Sequence, residues 1–116
     1  MRKMNKIEKS KVTARILIEI GAINFSLVSP FKLSSGFLSP SYIDCRKIIA
    51  YPSAFKDVID MMIDTIKSDM VSQSPNYIIG GETAGIPFAA VIAGKMGLPL
   101  SYVRKKPKDY GKNKLI

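Results

Sequence analysis

Residues 78–94 read IIGGETAGIPFAAVIAG: a short apolar run, a glycine-rich turn carrying one acid, then an alanine-rich stretch. A strand that runs through glycines into a helix presents the helix's free N–H groups and the positive end of its dipole at the turn. Glycines there permit left-handed or close-approach backbone. Pro87 suits the first helical turn, where an N–H would go unpaired. The spacing G-G-x-x-x-G is neither a Walker loop nor a dinucleotide fingerprint. On spacing alone the turn reads equally as an anion site and as a tight strand-to-helix connection. Glu82 counts against a bare phosphate site. An Mg²⁺ carried by substrate phosphates and waters, with Glu82 as the protein acid, would satisfy both charges.

The flanks of this turn define the fold class. Residues 76–80 (NYIIG) read as a strand, Ile86 to about Met96 as a helix stopped by Gly97, and 99–104 (PLSYVR) as a second strand. A strand–helix–strand crossover makes a parallel sheet, and ligands bind at the carboxyl ends of its strands. The second strand leads into RKKPKDYGKNK at 104–114, with six Lys/Arg against Asp109 alone. Arg104 and Lys105 sit at the strand end. Pro107 and Gly111 break regular structure, which puts Lys108 on a loop. A basic loop closing over a charged leaving group stabilises it and excludes water. Solvated surface charge is the ordinary explanation of such a run; its place one crossover after the turn raises the functional reading above that.

Upstream, residues 6–20 place Ile7, Val12, Ile16, Leu17 and Ile20 on one helical stripe, and Gly21 follows as a stop. Residues 25–51 alternate aromatic and β-branched residues with Ser and Lys, and Pro30, Gly36 and Pro40 punctuate them. The expectation is two short strands around a Ser-Gly turn. Here Tyr42 reads as a half-buried strand aromatic, and Arg46 equally as a partner near Asp44 or a substrate contact. Pro52-Ser53 opens a helix over roughly 53–70 with Phe55, Ile59, Met62, Ile63, Ile66 and Met70 on one face. Asp57, Asp60 and Asp64 fall opposite and read as a solvated face rather than a metal site. VSQSP at 71–75 is a linker.

Composition bounds these readings. The 116 residues, 47% apolar and 23% charged, suit one small globular domain. A single cysteine, Cys45, cannot form an internal disulfide. The longest apolar stretch, 86–94, is about half of the ~20 residues that span a bilayer. The expectation is a soluble cytoplasmic protein with no membrane partner. The net charge is +9 with no histidine, which excludes His-dependent acid–base chemistry and most zinc sites within this chain. The excess charge is gathered at 104–114 and in the first fifteen residues, which suits a compact phosphate ester at least as well as a duplex. A nucleic-acid binder would interleave aromatics with its Lys/Arg, and the basic run holds only Tyr110.

Three series in order carry a family resemblance: F-K-L-S-S-G-x-x-S-P-x-Y-x-D-x-R at 31–46, G-G-E-T-A-G-I-P at 80–87, and Y-V-R-K-K-x-K-x-x-G at 102–111. Together they resemble orotate phosphoribosyltransferase over nearly the whole chain from about residue 12. The resemblance implies an α/β, type I phosphoribosyltransferase-like parallel sheet with flanking helices and a small N-terminal hood. Residues 1–116 would form one incomplete domain, with helix and hood strands in about 1–50 and the first part of the α/β core in about 51–116. The implied reaction joins orotate to phosphoribosyl pyrophosphate with Mg²⁺, giving orotidine 5′-monophosphate and pyrophosphate in UMP synthesis.

By the same resemblance Glu82, Thr83 and Ala84 bind pyrophosphate through the backbone, with a cis peptide between Glu82 and Thr83. Arg104, Lys105, Lys108 and Tyr110 line the pyrophosphate, and Lys108 is the catalytic residue on the closing loop. That loop, 105–114, would reach the neighbouring subunit of a homodimer, and Tyr42 and Ile43 would pack on the orotate ring. Some family members carry lysines at the positions of Ser34 and Ala84, and a histidine commonly stands where Tyr110 is. The family's ribose-phosphate loop, a strand ending in two acids and Thr-Thr-Gly, would follow residue 116. Nothing here substitutes for it, so the chain is expected to be an N-terminal fragment, inactive alone. The alternative is a non-catalytic relative that senses phosphoribosyl pyrophosphate.

Overall fold

Asn5 starts the first helix, α1 (Lys6–Glu19): its side-chain oxygen accepts from the Glu8 N–H at 2.8 Å, satisfying one of the unpaired first-turn donors. Gly21 ends it, at φ +72°, with its N–H donating to the Ile18 carbonyl. The computed structural model describes residues 3–70 and 73–107. They divide into two compact units, up to Val58 and from Ile59 onward, with the boundary inside α2 (Pro52–Asp69).

The first unit holds α1 and four strands of two or three residues each: β1 (Ile23–Phe25), β2 (Phe31–Lys32), β3 (Leu38–Ser39) and β4 (Ser41–Ile43). The expected pair around the Ser-Gly turn is β2 and β3, antiparallel with Phe31 opposite Ser39, and Gly36 turns the chain at φ +91°. A second antiparallel pair, β1 with β4, sets Ile23 opposite Ile43 and was not expected from the sequence. A 3-10 helix, Cys45–Ala50, follows. Lys47 Nζ donates to the Gly21 carbonyl at 3.2 Å and ties this helix to the end of α1. Ile16, Ala22, Ile48 and Val58 are buried. Ile7, placed on the α1 stripe by its spacing, is 68% exposed, while Cys45 is an exposed free thiol.

The second unit holds the end of α2, then β5 (Ile78–Gly81), α3 (Gly85–Met96) and β6 (Leu100–Val103). The strands pair in parallel, Ile78 with Leu100 through Gly81 with Val103, as the crossover pattern requires. Gly97 caps α3 in the left-handed conformation at φ +67°. The core is Ile59, Met61, Ala89, Ile92 and Ala93. The face assigned to α2 is rotated from its expected position: Met61 is buried, whereas Met62 and Met70 are exposed. Asp60 is half-buried and takes Lys95 Nζ at 3.4 Å, so the acids of α2 are not all on a solvated face. Among the described residues no helix is long and apolar enough to cross a membrane.

Candidate functional site

The GGETAG turn joins β5 to α3 at the carboxyl end of the parallel pair, the end where the crossover rule locates ligands. None of Gly80, Gly81 and Gly85 has positive φ, and of the three only Gly80 is required by close approach. A Cβ on Gly80 would lie 2.8 Å from the Ala89 Cβ and 3.1 Å from the Gly85 carbonyl oxygen. Gly80 therefore lets α3 press directly against β5, which fixes where the helix N-terminus points. The Glu82–Thr83 peptide is cis. The Ile86 N–H donates to the Thr83 carbonyl at 3.2 Å, while the N–H groups of Thr83 and Ala84 meet no backbone acceptor among the described residues. Those two donors, exposed at the start of α3, suit an anion.

Glu82 is half-buried and held from two directions. Its N–H donates to the Val103 carbonyl at 2.9 Å, and its carboxylate Oε2 accepts the Lys105 N–H at 2.7 Å. The acid in the turn thus has a donor on the next strand's exit. No lone residue pattern signals this contact. It follows only from the register, which sets Gly81 beside Val103 and so carries Glu82 past the strand end alongside the start of the basic run. Arg104 is half-buried, its Nε 3.4 Å from the Lys106 carbonyl, and Lys105 is exposed. The second unit therefore brings together Glu82, Thr83, Ala84, Arg104 and Lys105 around the ends of β5 and β6. Lys108 and Tyr110 lie outside the described residues.

Tyr42 and Ile43 stand on β4 in the first unit. Tyr42 is half-buried with its ring centroid 6.0 Å from that of Phe31, at a 33° tilt, and Ile43 is 51% exposed. Asp44 and Arg46 pair directly, Nε to Oδ1 at 3.1 Å. The hydrogen bond to Asp44 first, and its charge second, raise the guanidinium pKa above its ordinary value.

Among the described residues no group of three or more His, Cys, Asp or Glu side chains could hold a metal ion. Glu82 is the turn's sole acid and one of its oxygens is engaged by Lys105. This donor set does not fit an Mg²⁺ site built by the protein alone.

No protein-family model matches the chain. The orotate phosphoribosyltransferase of Roseobacter denitrificans is 50% identical over 94% of the chain, and that of Cereibacter sphaeroides 51% identical over the same share. The chain spans about half the length of these curated relatives, 48% and 47% respectively. Among solved structures, orotate phosphoribosyltransferase from Aeropyrum pernix superposes with a TM-score of 0.67 at 33% identity, over 79% of this chain and 52% of that one. The chain is thus a homologue of the orotate phosphoribosyltransferases and carries the α/β fold of type I phosphoribosyltransferases over about half of their length.

Proposed function

We propose that the protein is an orotate phosphoribosyltransferase, joining orotate to phosphoribosyl pyrophosphate to give orotidine 5′-monophosphate and pyrophosphate, a step of pyrimidine synthesis in the cytoplasm. The observation that carries the proposal is 50% identity over 94% of the chain to a relative of that name. The turn supports it by chemistry. In the reaction the C1′–oxygen bond to pyrophosphate breaks as a bond from C1′ to an orotate nitrogen forms, that nitrogen gives up its proton to solvent, and negative charge gathers on the departing pyrophosphate. The N–H groups of Thr83 and Ala84, which meet no backbone acceptor among the described residues, are with the start of α3 preorganised donors for that charge. Arg104 and Lys105 add positive charge at the strand exit, and Lys108 and Tyr110 complete the set on the loop. Mg²⁺ would enter with the pyrophosphate substrate and would offset its charge there rather than through a site built on Glu82. In the hood, Tyr42 and Ile43 pack on the orotate ring. In this reading two copies of the natural-length protein form a homodimer, and the 105–114 loop of each reaches the other's site.

The test is a spectrophotometric assay on the protein at its natural length, with orotate, phosphoribosyl pyrophosphate and Mg²⁺. Loss of orotate matched one-to-one by pyrophosphate is the expected result. Binding of phosphoribosyl pyrophosphate with no turnover would overturn the transferase reading in favour of a sensor. In the active protein, Lys108→Ala lowers kcat by about 10²–10³-fold, the scale of losing one transition-state donor. Wild-type kcat in that variant would remove Lys108 from its catalytic role.

A further inference from the structure

A parallel ladder continues as long as each strand offers the other alternating donors and acceptors. Here the last backbone rung at the site is the Glu82 N–H on the Val103 carbonyl, 2.9 Å. The next rung would join the Lys105 N–H to the backbone carbonyl of Glu82. Instead the Lys105 N–H goes to the carboxylate of the same residue, Oε2 at 2.7 Å, a charge-assisted bond at the short end of its range. The side chain of Glu82 thus stands where its own carbonyl would, and extends the pairing of β5 and β6 by one residue beyond the strands. What it extends to is the first part of the basic run: Arg104 and Lys105 follow directly on Val103.

We propose that Glu82 is a positioning residue whose carboxylate, by accepting the Lys105 N–H, holds the Arg104–Lys105 segment beside the Thr83–Ala84 donors. The proposal rests on the pyrophosphate reading of the turn and deepens it. It resolves the presence of an acid in an anion site: the carboxylate is directed at a backbone amide, and the anion is left to the N–H groups of the next two residues. The net effect is to fix, next to those donors, the backbone that carries the cationic side chains. A positively charged loop rooted at a mobile point would lose part of its binding free energy to ordering.

Two substitutions separate positioning from direct contact with ligand or metal. Glu82→Ala removes the acceptor, and Glu82→Gln keeps an amide oxygen at the same reach without the charge. Hydrogen exchange of the Lys105 amide is followed in the protein at its natural length, with the amides of β5 as a control for folding. Exchange at Lys105 is expected to quicken by about tenfold or more in Glu82→Ala while β5 stays protected, and Glu82→Gln restores most of the protection. In steady-state assays the Ala variant raises KM for phosphoribosyl pyrophosphate more than it lowers kcat, and the Gln variant recovers most of that loss. Unchanged Lys105 exchange in the Ala variant would overturn the proposal. So would a Gln variant that keeps Lys105 protected yet is as impaired as Ala, since the charge itself would then act on substrate or Mg²⁺. The exchange measurement reads Glu82 even in a protein that turns over no orotate, so failure of the transferase reading and failure of the positioning role remain distinct.

Discussion

The two units are built by different means. From Ile59 onward the described chain uses the end of α2, and α3 pressed on two parallel strands, with four consecutive residue pairs in register from Ile78–Leu100 to Gly81–Val103. Up to Val58 it uses four strands of two or three residues, and Phe25, Leu27, Val28 and Phe37 are exposed. The first arrangement concentrates its burial on a few closely packed residues. The second buries Ile16, Ala22, Ile48 and Val58 but leaves much of its strand segment exposed, tied by backbone contacts such as the Asp44 N–H on the Ala22 carbonyl at 2.9 Å. A substitution in the core of the sheet unit should therefore cost far more than one on the exposed strand segment of the hood.

That contrast can be broken most directly at Ile59, which is 0% exposed. Ile59→Ala is expected to cost about 2–5 kcal/mol, read as a lower urea midpoint. A smaller effect is expected at Gly80. Gly80→Ala forces a Cβ against Ala89 and should cost about 1–3 kcal/mol by overpacking. Gly81→Ala, with nothing within 4 Å of the added carbon, is its control and should stay within about 0.5 kcal/mol by the same measurement. The smallest effect belongs to the hood surface. Phe37→Ser, at a side chain 74% exposed, should leave the midpoint within error, equivalent to about 0.5 kcal/mol or less. A large loss at Phe37 would show that the hood is held by its apolar surface and would undo the contrast.

The same difference explains what the sequence made legible. The crossover could be read because a short apolar run, a glycine-rich turn, a helix-length alanine-rich stretch and a second short strand follow in order, and Gly97 marks the helix end. The hairpin at Ser34–Gly36 could be read from its turn residues. The pairing of β1 with β4 could not: Ile23 and Ile43 are distant in sequence, and three-residue strands show no alternation. The 3-10 helix at Cys45–Ala50 follows two residues after a strand and carries no periodic stripe. On α2, spacing identified an apolar face but not its rotation, because Met61 and Met62 are equally apolar and only packing selects between them. At the site, residue types pointed to the turn and the basic run. The bond between Glu82 and Lys105 depends on strand register, which composition does not encode.

Cys45 adds an experimental consequence. It is the chain's single cysteine, it is exposed, and it lies two residues beyond Ile43. A thiol-reactive fluorophore would therefore label residues 1–116 at one point, inside the unit that carries the proposed ring-stacking pair. Titrating orotate against the labelled protein would then read occupancy near Tyr42 and Ile43 optically, independently of events at the pyrophosphate turn.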